Sequence, residues 1–414
     1  MLKKRRRANP WRVIFLILLI GAGIYINQVI VPATPPLFIP TPTATRAPES
    51  FVSDAENLLN EGKISLAIDA YYEAIQADPK NGANYIALAR LLIYNARYSP
   101  AIENAENALL INPNNAMAHA IRGWAMGFLG DYFDAEQALN RAIEIDPNNA
   151  AAYAYLAEVL SLKIQGGLDE LGTRDRAIEA SRTAMSLSPN SLETLRARGV
   201  ILEITGNYAE AAAEFEAAIN LNPNIADLHL ALGRNYRYLG IYDKAVEEFN
   251  RANALNPSDP LPDTYISRTY LTVGEYQKAI QYSEQALKDD PTDPYLYGNL
   301  GTMFYRNDQY LQAIEAFRIA IQGGIAEDGE VVEGLPLDYG RISEYYQLYG
   351  LALARTANCN EALQISQVMI QGVPNDEYAI YNGEEIVNIC KEFAENPPTP
   401  SPTILALPSA TPEP

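Results

Sequence analysis

The sequence predicts an all-α solenoid of about nine helical hairpins that follows one transmembrane helix. Three observations support this fold class: a motif that recurs every 34 residues, helical spacing of apolar residues within each unit, and an apolar segment behind a basic N-terminus. The chain has 414 residues, of which 48% are hydrophobic and 20% are charged, a composition typical of folded proteins rather than disordered ones.

The N-terminus predicts a membrane anchor. The apolar run extends from Val13 to Ile26, and it reaches Val31 if two polar residues are included. A bilayer needs about 20 apolar residues, whereas the core of a cleaved signal peptide has about 7–15. The longer run and the poorly defined cleavage site favour an uncleaved signal anchor over a cleaved signal, which stays an alternative. Six basic residues and no acidic residue occur in the first twelve positions (Lys3, Lys4, Arg5, Arg6, Arg7, Arg12).

This charge pattern predicts a cytoplasmic tail over residues 1–10 and a transmembrane segment over 11–31, with everything after it outside the cytoplasm. Residues 32–50 and 394–414 are rich in Pro and Thr, and we expect an extended linker and a disordered tail there. The net charge is −20 even with the basic N-terminus included, so we expect no nucleic-acid partner.

Prolines mark the period of the repeat. Two stretches, residues 204–223 and 238–257, carry Gly, Tyr, Ala, Phe, Ala and Pro at the same spacing. Each unit is predicted to be two helices, with a glycine such as Gly240 at the turn between them and a proline such as Pro257 after the second helix. One hairpin cannot bury its apolar face alone, so the units must stack. The repeat-ending prolines are Pro79, Pro113, Pro147, Pro189, Pro223, Pro257, Pro291 and Pro374.

These units resemble the tetratricopeptide repeat family from about Phe51 to Asp376. The family's small residue in the first helix is matched by Ala55, Ala89, Gly123, Ala157, Gly199, Gly233, Gly301 and Gly350. Its alanine in the second helix is matched by Ala67, Ala101, Ala135, Ala177, Ala211, Ala245, Ala279, Ala313 and Ala362. The resemblance implies a right-handed α-solenoid over residues 51–393, whose first helices line a concave groove. We expect the segment "DEYAIYNGEEIVNICKEF" to form a C-terminal capping helix.

The sequence departs from the family pattern at three places. The fourth unit has eight extra residues around "QGGLDELGT", at the predicted turn between its helices. The seventh unit has Ser267 where glycine or alanine is usual. The eighth is followed by an acidic, glycine-rich segment, "AEDGEVVEGLPLDYG", which we predict to be a loop.

No catalytic or metal-binding residue is predicted, and no cofactor is implied. His119 and His229 occupy the repeat position that holds Tyr85 and Tyr297 in other units, which favours a packing role. The sequence has no P-loop, dinucleotide fingerprint, HExxH or GxSxG motif. We therefore predict that the protein is not an enzyme.

The resemblance also predicts the binding face. Members of the family bind extended peptides or a partner's helix in the concave groove, through defined positions of each unit. Here those positions hold Arg90, Tyr94, Trp124, Phe128, Arg234, Arg237, Tyr238, Arg268, Tyr295, Tyr305 and Arg306. Arg and aromatic residues are enriched where interfaces bind most tightly. The alternative is that these arginines pair with acids on adjacent repeats and only hold the stack together.

The only two cysteines are predicted to form a disulfide. An exported protein meets an oxidising compartment. The repeat register places Cys359 at the turn of the ninth unit and Cys390 near the end of the capping helix, at the same edge of the solenoid. The alternative is a pair of buried free thiols.

Taken together, these features predict a single-pass membrane protein with its repeats outside the cytoplasm, in a bacterial cell envelope. Its function would be a scaffold for envelope assembly or recruitment, with a protein or peptide partner and the membrane as its contacts. One alternative is an organelle-surface or cytosol-facing receptor with the same repeats. A second is an enzyme with an unrecognised site.

Overall fold

The computed structural model describes residues 9–30 and 46–395. The predicted tail up to residue 8, most of the predicted linker and the predicted C-terminal tail beyond 395 lie outside the described residues. Helix α1 spans Pro10–Tyr25 and continues over Ile26–Ile30 as a wider π-helical turn. This 21-residue segment is long and apolar enough to cross a membrane, a property that it shares with signal sequences near an N-terminus.

Helix α1 has a defined start. The Asn9 side chain accepts a hydrogen bond from the backbone N–H of Trp11 at 3.1 Å, and Pro10 occupies the first helical position. Proline is favoured there because its missing N–H would have no partner inside the helix. The N-terminal segment and the repeats form two separate compact units.

From residue 46 to 395 the structure consists of nine helical hairpins, a last single helix and a short two-stranded sheet. The hairpins are α2 (Pro48–Asn60) and α3 (Ile64–Ala77), α4 (Gly82–Tyr94) and α5 (Tyr98–Ile111), α6 (Ala116–Phe128) and α7 (Tyr132–Ile145), α8 (Ala150–Gln165) and α9 (Thr173–Leu187), α10 (Leu192–Ile204) and α11 (Tyr208–Leu221), α12 (Ala226–Tyr238) and α13 (Tyr242–Leu255), α14 (Pro260–Thr272) and α15 (Tyr276–Asp289), α16 (Pro294–Arg306) and α17 (Tyr310–Gln322), and α18 (Arg341–Arg355) and α19 (Cys359–Gly372). The capping helix is α20 (Glu377–Glu395). The predicted all-α repeat fold is confirmed.

Short polar side chains start many of the first helices. Asn115 accepts a hydrogen bond from the N–H of Ala118 at 3.1 Å, and Asp293 accepts one from the N–H of Tyr295 at 2.8 Å. Such caps satisfy backbone donors that have no partner within the helix. The prolines stand just before them, where they stop the preceding helix.

A residue in the left-handed region ends most first helices. Glycine fills this turn in six hairpins, with φ of +75° at Gly240, for example. Three hairpins have another residue there: Ala96, Asp308 and Ala357, with φ of 56°, 59° and 60°. Because a Cβ is disfavoured in this region, these three turns are strained relative to the glycine turns.

Small residues let the two helices of a hairpin approach closely. A Cβ added at Gly233 would lie 2.5 Å from Cε1 of Phe249, a fully buried side chain of the second helix. In the seventh hairpin, Ser267 and Ser283 occupy these two positions, and their hydroxyls hydrogen-bond at 2.6 Å. The departure at Ser267 is therefore matched by a change at its packing partner.

The segment after the eighth hairpin differs from the prediction. It contains a two-stranded antiparallel sheet, in which β1 (Gly324–Ile325) pairs with β2 (Val331–Val332). Strands of two residues are too short to produce an alternating pattern that sequence inspection would detect. Of the eight extra residues of the fourth hairpin, four lengthen its inter-helix turn and four lengthen its helices: α8 and α9 have 16 and 15 residues, whereas α12 and α13 have 13 and 14.

The stack of hairpins curves so strongly that repeats far apart in the sequence contact each other. Nδ2 of Asn224, in the loop before α12, donates hydrogen bonds to the carbonyl oxygens of Leu59 and Asn60 at 3.1 and 3.0 Å. On the inner side, Arg90 and Glu193 come within 3.9 Å although they lie on first helices three repeats apart. The first helices therefore line the inner, concave face of a tightly wound superhelix.

A disulfide joins the ninth hairpin to the capping helix. It links Cys359, the first residue of α19, with Cys390 in α20, and the two Cα atoms are 5.5 Å apart. A terminal helix has only one neighbour in a solenoid, so this bond restrains the end that would otherwise fray most readily.

Candidate protein-binding face

A buried charged and aromatic network fills the inner face of the third to sixth repeats. Nε1 of Trp124 and Nε of Arg196 both donate to Oε2 of Glu158, at 2.8 and 3.1 Å. Arg196 also pairs with Asp227, and its guanidinium carbon lies 4.9 Å from the centre of the Trp124 ring. The Trp124 ring also stacks on Tyr155, with ring centroids 4.2 Å apart. These side chains connect four successive repeats.

Burial controls the protonation of this network. It raises the pKa of Glu158 to about 7, against the opposing effects of Arg196 and Trp124, because a buried carboxylate loses its hydration. Oε1 of Glu158 is buried without a hydrogen-bond partner among the described residues, which adds to that cost.

Two of the predicted groove arginines are engaged by carboxylates of other repeats. Arg234 donates from Nε and Nη2 to the two carboxylate oxygens of Glu203, at 2.9 and 3.0 Å. Arg90 faces Glu193 across the inner side. At these two positions the arginines pair with acidic residues of other repeats, as expected if their role is to hold the stack of repeats together.

The predicted aromatic residues divide into buried and exposed sets. Tyr94, Trp124 and Tyr305 are buried, and Phe128 stacks on Tyr98 with ring centroids 4.7 Å apart. Tyr238 and Tyr295 remain 55% and 43% exposed, and Arg306 is exposed too. The exposed set lies on α12 and α16, whereas all the buried residues except Tyr305 belong to the second and third repeats.

Three arginines of the later repeats lie close enough for two of their charges to act on the third: Arg237 and Arg341 act on Arg268, and the three are hereafter the arginine cluster. Burial lowers the pKa of Arg268, and the positive charges of Arg341 and Arg237 lower it further. Nε of Arg237 is buried and has no hydrogen-bond partner within the described part of the chain. None of the three has a carboxylate of the described residues within ion-pair distance.

Arg341 and its neighbour Tyr345 were missed by sequence reasoning. Tyr345 is fully buried against Gly298, where a Cβ would overlap its ring, and its hydroxyl donates to the carbonyl of Tyr295 at 3.2 Å. Arg341 is the exposed first residue of α18. The segment before α18 disrupts the 34-residue register, so no repeat position indicated these two residues.

The two histidines have structural contacts. Nε2 of His119 lies 3.0 Å from the carbonyl oxygen of Pro113, and Nε2 of His229 lies 2.9 Å from that of Pro223. The tyrosine at the same repeat position, Tyr297, donates to the carbonyl of Pro291. In these repeats the contact joins the start of the first helix to the proline that ends the preceding repeat. Among the described residues, no group of three or more His, Cys, Asp or Glu could hold a metal ion.

A cavity of about 260 Å³ lies beside the inner network. Its walls include Tyr98, Phe128, Arg196, Asp227 and Tyr265, which come from the second to the seventh repeats. Because most of its polar lining already takes part in ion pairs, this cavity offers few free groups to a ligand.

Comparisons with known proteins agree with this architecture. Three family models described as tetratricopeptide repeat match residues 86–150 and 266–328, 138–173, and 192–225 and 226–259. No curated protein matches the sequence.

Among solved structures, the fold is similar to the APC/C hetero-tetramer Cut9–Hcn1, with a TM-score of 0.61 and 15% identity. That match covers 79% of this chain, and this chain spans 60% of the length of the other. PilW, a type IV pilus biogenesis factor, has a TM-score of 0.42 and 20% identity, covering 49% of this chain and 90% of that one. Pseudomonas aeruginosa pilF has a TM-score of 0.40 and 21% identity, covering 49% and 89%. With its repeats matched over more than half of its length, the chain belongs to the tetratricopeptide repeat family.

Proposed function

We propose that this protein is a membrane-tethered scaffold that binds a protein partner on the inner face of its sixth to ninth repeats. The observation that carries the proposal is the exposure of Tyr238, Tyr295 and Arg306 on first helices of a repeat fold. Tyr and Arg contribute strongly to binding because they combine large contact areas with hydrogen-bonding groups. Stacked helical hairpins typically serve as non-catalytic scaffolds, and we propose no enzymatic activity.

We place the binding site on the later repeats because the protein's own side chains already occupy the inner face of the earlier ones. The inner face of the earlier repeats is filled by the side chains around Trp124 and Glu158 and closed by the contact between Arg90 and Glu193. A partner that bound there would have to break ion pairs that have little access to water, at a considerable cost. The later repeats present their tyrosines and arginines without that cost.

The N-terminal helix supplies the tether. The segment Pro10–Ile30 has 21 residues, most of them apolar, and it follows a basic N-terminus. We therefore propose that the basic end stays in the cytoplasm and that the repeats lie in the cell envelope. There the scaffold would recruit or help assemble other envelope proteins.

Cross-linking in intact cells tests the proposal. The full chain carries an affinity tag after Pro414, and cross-linked partners are recovered and identified. The test variant replaces Tyr238, Tyr295 and Arg306 with alanine, and the control variant replaces three exposed second-helix residues, Leu110, Phe133 and Leu363. A partner captured by the native chain and the control but lost from the test variant supports the proposal. Equal recovery by both variants contradicts it.

A further inference from the structure

We infer that the arginine cluster binds an acidic segment of the protein partner by its carboxylates. This inference rests on the proposed function and names the chemistry of its partner. Three observations carry it: a comparison between two successive repeat interfaces, a chain of buried hydrogen bonds that holds Arg268, and the lack of a carboxylate of the described residues within ion-pair distance of the cluster.

Equivalent positions in two successive repeats can be compared directly. Arg268 is the equivalent of Arg234 one repeat later, and Arg237 is likewise the equivalent of Glu203. In the earlier pair, Arg234 grips Glu203 through two hydrogen bonds of 2.9 and 3.0 Å. In the later pair an arginine stands where the glutamate stood, and its charge lowers the pKa of Arg268. Arg268 therefore lacks the carboxylate that the same position has one repeat earlier.

A chain of hydrogen bonds nevertheless fixes the orientation of the Arg268 side chain. Its Nε donates to Oδ1 of Asn299 at 3.1 Å, and Nδ2 of Asn299 donates to the hydroxyl of Ser283 at 3.0 Å. Ser283 in turn hydrogen-bonds to Ser267. Asn299 and both serines are buried, so these bonds hold the guanidinium in place. Its two Nη atoms make no hydrogen bond to any described residue and remain available.

The other two members complete a positive surface. Arg341 is exposed at the start of α18, and Nε of Arg237 is buried without a partner among the residues described. Glu344 lies one turn after Arg341, and its negative charge raises the pKa of Tyr345. It forms no ion pair with the arginine cluster. Three arginines without a counter-charge are costly to keep together, and a ligand that brings carboxylates removes that cost.

Carboxylates match the donors of this site. The guanidinium group offers parallel donors that match the two oxygens of a carboxylate, as the pair of Arg234 and Glu203 shows in the same fold. The protein carries a net charge of −20, so long-range attraction does not account for capture of an acidic peptide. Binding must come from the local contacts at the cluster.

Fluorescence anisotropy with labelled hexaglutamate tests the inference on the full chain in detergent, with labelled hexaglutamine as the uncharged probe. Arg237→Glu is the informative variant because it restores the internal pair that Glu203 forms with Arg234. We expect it to weaken hexaglutamate binding about tenfold or more, while the midpoint of thermal unfolding stays the same or rises. The control Arg182→Glu makes the same charge change at a second-helix residue whose side chain is 74% exposed, and it should bind like the native chain.

Arg341→Glu is a second variant at an exposed position, and it should weaken binding too. Three results overturn the inference: no saturable binding of hexaglutamate, equal binding by Arg237→Glu and Arg182→Glu, or competition by inorganic phosphate as effective as that by unlabelled hexaglutamate. These results differ from failure of the proposed function, because a partner could still be cross-linked through Tyr238, Tyr295 and Arg306.

Discussion

Trp124 and Glu158 are joined by a hydrogen bond of 2.8 Å between two fully buried side chains of successive repeats. The bond ties the third repeat to the fourth, and Arg196 extends it to the fifth. It explains why a tryptophan predicted to contact a partner is instead part of the interior. The burial of Glu158 gives this network a measurable dependence on pH.

The first prediction is that Glu158 makes the repeats less stable as pH rises. Burial holds its folded pKa at about 7, above the ordinary value of 4.5, so the folded state binds a proton that the unfolded state has lost. Its contribution is therefore fully present below about pH 4.5 and is lost as pH rises through 7. In Glu158→Gln, which cannot titrate, this part of the pH dependence should disappear.

Thermal and denaturant unfolding of both proteins between these pH values checks this prediction. The difference in unfolding free energy between the variant and the native chain should grow with pH by an amount on the order of 3 kcal/mol. Other titrating groups cancel in that difference. A difference that stays constant with pH would show that Glu158 is ionised throughout.

The second prediction concerns the strained turns. Ala96 has φ of 56° at the position where Gly240 has φ of 75°, and both are exposed. Ala96→Gly should stabilise the second repeat by about 0.5–1 kcal/mol, because glycine adopts this conformation without the strain of a Cβ. The gain is partly offset because glycine loses more conformational freedom on folding. The reverse change, Gly240→Ala, meets no atom within 4 Å and should destabilise by about 1 kcal/mol through the backbone alone. Denaturant unfolding of the two variants measures both effects, and shifts of the same sign would contradict the account.

The third prediction concerns the disulfide between Cys359 and Cys390. Closing a loop of 31 residues should stabilise the C-terminal end by about 3.5 kcal/mol. Replacing both cysteines with serine should therefore expose α20 to hydrogen exchange while the first repeats keep their protection. Alkylation of freshly isolated membranes without reductant gives the direct check. Full labelling of both cysteines would rule out the bond and would weaken the case for export.

The fourth prediction concerns topology. The basic residues before the apolar run should keep the N-terminus in the cytoplasm and place the repeats outside it. A reporter that is active only in the cytoplasm, fused after Pro414, should be silent. Replacing Lys3, Lys4, Arg5, Arg6 and Arg7 with acidic residues should weaken this orientation and raise reporter activity. Strong activity in the native fusion would reject the proposed orientation.

The repeats could be predicted from sequence because their signal is local and recurs many times. Each hairpin repeats the same small residue, turn and proline, so an exception such as Ser267 did not hide the pattern. The short strands at Gly324–Ile325 and Val331–Val332 gave no comparable signal.

The inner face was harder to predict because superhelical curvature decides which repeats meet. The 34-residue period does not indicate that Arg90 contacts Glu193 or that Asn224 contacts Leu59. These contacts depend on small rotations summed over several repeats. The repeat register did locate Arg237 and Arg268, but it could not show that Glu203 pairs with Arg234 and that Arg268 lacks such a carboxylate.

The most direct test of the account is site-specific photo-cross-linking in intact cells. A photoreactive phenylalanine replaces Tyr295, an exposed residue of the inner face, or Phe133, an exposed residue of a second helix that serves as the control. If the partner binds on the inner face, irradiation should join a discrete partner protein to the chain labelled at Tyr295 and not to the chain labelled at Phe133. Adducts that form only from Phe133 would contradict the claim that this scaffold binds its partner on the inner face.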